Sequence, residues 1–268
     1  MFKGFYGFSK NPFDKHALSE KDAFHSRDHK EMTSRLSYLK GIRGVGVFTS
    51  APGFGKTYAL RCFAKSLDRN LCETAYLCLS TVSLTEFYRQ FCSALGIDAP
   101  YGKPAMFRAI QDRLYHLFKE KKKPFFLFLD EAHELSAAIL KDVKMIMNYE
   151  YDSVNCFTLA IIGEPHLNRI LEKPIHEALR QRIAVHYTFS GLDDAETEGY
   201  VLHKLRIAGA AESVLGAGVL PAIIVYARGC PRMIDNLMNE ALMLGAQLEK
   251  PSIDTDVVMA AANSLALS

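Results

Sequence analysis

The chain has 268 residues, 49% of them hydrophobic and 23% charged, a composition that supplies a sizeable core and excludes disordered or fibrous classes. A net charge of +2 excludes nucleic-acid binding by the surface as a whole, so any such contact must come from a local patch. The six cysteines form no C-x-x-C pair and read as reduced, buried thiols. No apolar run approaches the roughly 18 residues that cross a bilayer, and no signal-peptide core is present, so a soluble, cytoplasmic chain is expected.

Residues 1–30 are rich in aromatics (Phe2, Phe5, Tyr6, Phe8, Phe13, Phe24) without a helical or strand period, and Asn11-Pro12-Phe13 marks a turn. Such an arm either walls a base pocket, with Pro12 and Phe13 against the ligand, or covers core. Apolar spacing from His29 to Leu39 predicts a helix ending at Gly41.

Val45 to Thr49 is an apolar, β-branched run that stops at Ser50-Ala51-Pro52-Gly53-Phe54-Gly55-Lys56-Thr57. A helix-forming run from Tyr58 to Lys65 follows. Strand, glycine-bearing turn and helix N-terminus together present main-chain N–H groups and a helix dipole to an anion. Gly53 and Gly55 let the backbone close around a phosphate where a Cβ would intrude. Lys56 is spaced to reach the terminal phosphates and Thr57 to ligate Mg²⁺, with Phe54 and Tyr58 flanking them. The first position of G-x-x-x-x-G-K-[ST] is Ser50 here, which touches the first bend of the loop and not Lys56 or Thr57.

A second strand is predicted over 74–80, an amphipathic helix over 84–95 closed by Gly96, and a further helix over 105–118. Lys119-Glu120-Lys121-Lys122-Lys123, four lysines against one glutamate, is the strongest basic run, net +3. It is either a solvated loop or a DNA contact. Phe125 to Leu129 is continuously apolar, as a parallel strand buried on both faces should be, and ends in Asp130-Glu131-Ala132-His133. A carboxylate pair at the end of a buried strand complements the Gly-Lys-Thr turn: Asp130 would hold Mg²⁺ through water and Glu131 would polarise the attacking water.

A helix over 136–149 precedes a fourth strand, 157–163, that ends at Glu164-Pro165-His166. A short helical stretch leads to Leu179-Arg180-Gln181-Arg182-Ile183 and a fifth strand near 185–187. Alternating strands and helices predict right-handed crossovers and a parallel sheet covered on both faces. Beyond Gly191 the pattern is helical only, over 193–208, 220–227, 232–248 and 254–265. Arg232, in the first turn of its helix after Gly229-Cys230-Pro231, is disfavoured there by the helix dipole, so either an anion compensates it or its stem packs on the surface.

With both halves of the nucleotide site in place, most of the chain resembles an AAA+ ATPase of the ExeA-like and TniB/TnsC-like group. The matching features are Asn11-Pro12-Phe13, Asp130-Glu131-Ala132, Ile162-Gly163-Glu164-Pro165-His166-Leu167, Leu179-Arg180-Gln181-Arg182-Ile183 and Gly229-Cys230-Pro231-Arg232. The resemblance implies an α/β P-loop fold with a three-layer αβα core over 1–190, a sheet ordered 5-1-4-3-2, and a helical lid over 191–268. It also implies ATP and Mg²⁺ as ligands and self-assembly into rings or filaments. By position, Lys56, Glu131 and Arg182 (Arg180 second) carry catalysis, the two arginines as finger candidates. Arg232 senses the γ-phosphate, Glu164 takes the polar sensor position, and Ser80 restrains Glu131. A carboxylate at Glu164 would repel a γ-phosphate unless it points away. The group's members suggest a transposition helper that binds double-stranded DNA and a DDE transposase. The alternatives are an ExeA-like assistant of secretion-apparatus assembly, or a nucleotide switch with protein partners alone. ExeA-like chains continue into a membrane span and wall-binding domain; this sequence stops at Ser268 with neither, which favours the first. Pore-face DNA contacts would fall on Lys103 and Arg108, with Lys121 to Lys123 second.

Overall fold

The structure, a computed structural model, describes residues 2–14, 22–78, 82–210 and 212–266. In chain order the elements are α1 (Phe2–Phe5), α2 (Arg27–Ile42), β1 (Val45–Thr49), α3 (Lys56–Ser66), β2 (Glu73–Cys78), α4 (Leu84–Ala94) and α5 (Lys103–Lys119). There follow β3 (Phe125–Asp130), α6 (Ala137–Ile146), β4 (Thr158–Gly163), α7 (His166–Glu172), α8 (Glu177–Arg180) and β5 (Ile183–Thr188). The chain ends in α9 (Asp194–Ile207), α10 (Val219–Ala227), α11 (Pro231–Gln247) and α12 (Thr255–Ala266). Two compact bodies result. One gathers Met1–Lys30, Gly53–Gly55 and Ser190–Ser268, the other Glu31–Pro52 and Lys56–Phe189.

The larger body is built on a five-stranded parallel sheet in the order β2-β3-β4-β1-β5, the expected 5-1-4-3-2. Every residue of β1, β3 and β4 is buried, whereas β2 and β5 alternate, which identifies them as the edges of a sheet with helices on both faces. Its core joins Leu127, Leu129, Leu159 and Ile161 to Phe87 and Phe91 of α4, Ile110 and Leu114 of α5, and Ile139 and Val143 of α6. Burying a side chain of this size contributes about 1.5–3 kcal/mol. Ser83 and Ser136 cap α4 and α6 by accepting from the amides of Glu86 and Ile139. Register sets where chemistry can collect. Thr49 pairs with Gly163 and Cys78 with Asp130, so the residues after β1, β3 and β4 emerge along one carboxyl edge.

The smaller body packs α9 to α12 around Val201, Leu205, Ile223, Leu237, Met238 and Val258, and draws Phe8 and Phe13 of the N-terminal arm into the same core. The Asn11 amide donates to Asn239 Oδ1 at 2.9 Å, and Asn239 donates to the Phe13 carbonyl at 3.1 Å. Lys204 and Asp235 form a buried ion pair at 2.6 Å, completed by the Tyr200 hydroxyl at 3.0 Å. Burial holds the Lys204 ammonium below the usual lysine range against the pull of Asp235. Asp193 and Glu196 form a reciprocal capping box that starts α9.

Candidate nucleotide site

The turn after β1 runs from Ser50, whose amide donates to the Gly163 carbonyl at 3.2 Å, to Lys56 at the head of α3. Gly53 and Gly55 take φ of +85° and +90°, the left-handed region that a side chain disfavours. A Cβ on Gly53 would lie 2.8 Å from Arg232 Cβ, and the Arg232 amide donates to the Gly53 carbonyl at 3.3 Å; all these residues belong to the smaller body. Arg232 itself is exposed at the head of α11. The buried Lys56 ammonium donates to the Ser50 carbonyl at 2.7 Å and the Ser50 hydroxyl at 2.9 Å. Ser50 thus gives the lysine a side-chain acceptor that the glycine of the common motif lacks.

Thr57 Oγ1 donates to Asp130 Oδ2 at 2.8 Å, joining the turn to the acidic end of β3. The same carboxylate oxygen accepts from the Tyr76 hydroxyl, also at 2.8 Å. Tyr76 stands two residues before Cys78, the register partner of Asp130, so both side chains leave the same sheet face. Burial, and then the hydrogen bond to the carboxylate, push the Tyr76 phenol well above its ordinary range, so it stays a donor. A hydroxyl and a carboxylate are the hard oxygen donors that Mg²⁺ prefers, and the positive-φ glycines with a buried lysine suit phosphate oxygens, so these residues fit Mg²⁺ and a nucleoside triphosphate.

Glu131 follows in a left-handed conformation (φ 52°, ψ 35°), its amide donating to Asp130 Oδ1 at 2.9 Å. Its side chain is 44% exposed and its Oε2 lies 3.6 Å from His133 Nε2. Glu164 does not stand apart from this group. Its Oε1 is 3.9 Å from His133 Nε2 and its Oε2 is 3.8 Å from His166 Nδ1, so its charge is directed at two imidazoles. One ligand atom each from Glu131, His133 and Glu164 lie within 4.8 Å of one another, the spacing of a cation site.

Arg182 is 16% exposed; its guanidinium donates to Asn148 Oδ1 at 2.6 Å and pairs with Asp152. Burial lowers its pKa. Arg180 is exposed and donates to the Glu172 carbonyl at 3.2 Å. Tyr58 lies beneath the Arg61 guanidinium, 5.2 Å from its ring centroid. Pro12 and Phe13 are buried in the smaller body, Phe13 at 1% exposure with the Lys204 ammonium 5.5 Å from its ring centroid. Lys103 pairs with Asp142 at 2.5 Å, and Arg108 is exposed one turn further along α5. Within the basic run, Lys123 pairs with Glu73 at 3.4 Å. Ser80 lies outside the described residues. Tyr76 and His133 were not singled out by the sequence: Tyr76 reads as an edge-strand aromatic, and His133 as the last letter of the acidic motif.

The sheet order, the glycine-bearing turn and the acidic strand end define a P-loop nucleotide-binding fold of the AAA+ type. Residues 40–171 match the family described as an AAA domain. General secretion pathway protein A of Aeromonas hydrophila is 27% identical over 248 residues, 91% of this chain but 44% of that protein, so the chain spans less than half of its relative. Among solved structures, Cdc6p of Pyrobaculum aerophilum superposes with a TM-score of 0.72 at 17% identity, covering 94% of this chain and 70% of that one. ORC1 of Aeropyrum pernix, solved in complex with DNA, gives 0.67 at 15% identity, covering 96% of this chain and 70% of that one. At these identities the structural likeness speaks for the fold alone. Among the described residues no helix is long and apolar enough to cross a membrane.

Proposed function

We propose that the protein is an ATPase that assembles with copies of itself and uses hydrolysis to time the release of its partners. The observation that carries this reading is the 2.8 Å bond between Thr57 and Asp130, which joins the phosphate-binding turn to the acidic strand end. Gly53 to Tyr58 bind the triphosphate, and Thr57 with Asp130 hold the Mg²⁺ that neutralises phosphate charge. Lys56 leaves the Ser50 oxygens to place its positive charge where negative charge builds up, a hydrogen-bond exchange that is nearly balanced. The Glu131 carboxylate accepts a proton from the attacking water, and Arg232 registers the γ-phosphate. An arginine from a neighbouring copy completes the charge balance, Arg182 by position with Arg180 second. Such fingers are worth on the order of 10³–10⁵ in rate. Arg182 must first leave Asn148 and Asp152, whereas Arg180 is already presented to solvent.

Lys56→Ala should abolish ATP binding, while Glu131→Gln should bind normally and fail to turn over, read by a fluorescent ATP analogue and by phosphate release. Equal affinity in wild type and Lys56→Ala would dispose of the site.

The biological reading we favour is a transposition helper of the TniB/TnsC-like kind, in which ATP-bound copies gather on double-stranded DNA and recruit a DDE transposase. Its support is the set of motifs shared with that group and the exposure of Arg108, a cation that could make sequence-independent phosphate contacts. Lys103, paired with Asp142, would have to exchange that partner for a phosphate. A second reading, assistance to a secretion apparatus, draws on the Aeromonas relative, whose name states that pathway. A gel shift on random duplex DNA with a non-hydrolysable ATP analogue, across a salt series, separates the two. Nucleotide-dependent, salt-sensitive binding supports the helper. No binding at low salt supports the secretion reading or a nucleotide switch with protein partners alone.

A further inference from the structure

We propose that His133 is the positioning residue of the hydrolytic carboxylate, holding Glu131 in register with the end of β4; the proposal rests on the reading of Glu131 as general base. The Glu164 main-chain N–H donates to His133 Nδ1 at 3.2 Å. A main-chain amide can only donate, so Nδ1 carries a lone pair and the proton of the neutral ring resides on Nε2. That Nε2–H faces carboxylates of Glu131 at 3.6 Å, Glu134 at 3.5 Å and Glu164 at 3.9 Å.

The same assignment decides what the cluster is. A cation bound at Nε2 would need the lone pair there, which forces a proton onto Nδ1 and against the Glu164 amide. The cluster is therefore an imidazole N–H facing carboxylates at ion-pair range, with its other nitrogen hydrogen-bonded to the Glu164 amide, and not a metal centre.

The ring is buried, with 6% of the side chain exposed. It packs edge-on against His166, ring centroids 4.7 Å apart. Gly163 makes room for it: a Cβ there would lie 3.2 Å from His133 Nδ1 and 3.3 Å from the His133 amide nitrogen. Glu131, by contrast, has a fixed main chain but a long, half-exposed side chain, and a long side chain needs a fixed donor to hold one rotamer. The buried imidazole supplies one. Because its other nitrogen is bonded to the first residue after β4, any shift of that strand end is passed to the base.

The test uses the full chain and six proteins: wild type, His133→Ala, His133→Asn, His133→Gln, Glu131→Gln and the double variant Glu131→Gln/His133→Ala. Asparagine keeps an acceptor near the place of Nδ1, and glutamine keeps a donor near the place of Nε2. For His133→Ala and His133→Asn, kcat should fall about tenfold or more while ATP affinity stays within about twofold; His133→Gln should recover most of kcat. In residual single-turnover phosphate release, followed over hours at high enzyme concentration, the double variant should be no slower than Glu131→Gln, since both changes act through one carboxylate. Wild-type kcat in His133→Ala, losses that add fully to those of Glu131→Gln, or better rescue by asparagine than by glutamine would overturn the proposal. Should His133→Ala fail to fold, the asparagine–glutamine comparison carries the test. Full turnover by Glu131→Gln would instead remove the general-base reading itself, and this inference with it.

Discussion

A hydroxyl bonded to a carboxylate that is proposed to hold a metal acts by orientation. Tyr76 and Thr57 both donate to Asp130 Oδ2, which leaves the carboxylate little rotational freedom. Outer partners of metal ligands are commonly worth 10- to 100-fold in affinity. Tyr76 is half-exposed, so we expect the lower end: Tyr76→Phe should raise the Mg²⁺ concentration needed for half-maximal nucleotide retention about tenfold. Nucleotide binding without Mg²⁺ should be unchanged. The measurement is a Mg²⁺ titration followed through a fluorescent nucleotide, and an unmoved midpoint would show that Thr57 orients Asp130 unaided.

At the scale of elements, the end of β4 is closely packed beside the candidate site. Gly163 pairs with Thr49, accepts from the Ser50 amide and abuts both His133 and Leu167. A Cβ there would stand 2.9 Å from Leu167 Cδ2 and 3.3 Å from the His133 amide nitrogen. The leucine can turn; the main chain cannot without moving the acidic segment. Gly163→Ala should therefore destabilise the larger body by about 1–3 kcal/mol, the usual cost of overpacking. Its unfolding midpoint in urea should fall accordingly. An unchanged midpoint would mean that the segment after β3 yields freely.

For the whole molecule, the question is whether the proposed arginine finger works within one copy or between two. The Arg182 guanidinium is engaged with Asn148 and Asp152 of its own chain, while that of Arg180 is exposed. Arg182→Ala and Arg180→Ala should each be assayed alone and mixed with Glu131→Gln protein. The residue that acts between copies should lose ATPase activity without losing affinity, and regain part of it on mixing, because each partner then supplies what the other lacks. No recovery in either mixture would count against a shared site.

Much of this was legible in the sequence, for an identifiable reason in each case. The continuous apolar runs of β3 and β4 can be satisfied only by burial on both faces, which implied a parallel sheet with helical crossovers. Gly53, Gly55, Lys56 and Thr57, with Asp130 and Glu131, pointed to a candidate nucleotide site because phosphate and metal chemistry tolerate few substitutes at that spacing, and the fold does bring Thr57 onto Asp130. Helix limits were also readable to within a few residues from the apolar spacing, and the structure shows Ser83, Ser136 and Asp193 capping three of them. Only the tertiary structure placed Tyr76 on Asp130, because that bond depends on the register between β2 and β3. The fixed tautomer of His133 likewise depends on an amide 31 residues away, and the burial of Phe13 on helices more than 180 residues on. Local pattern carries no record of such encounters; they exist only once distant segments share a surface.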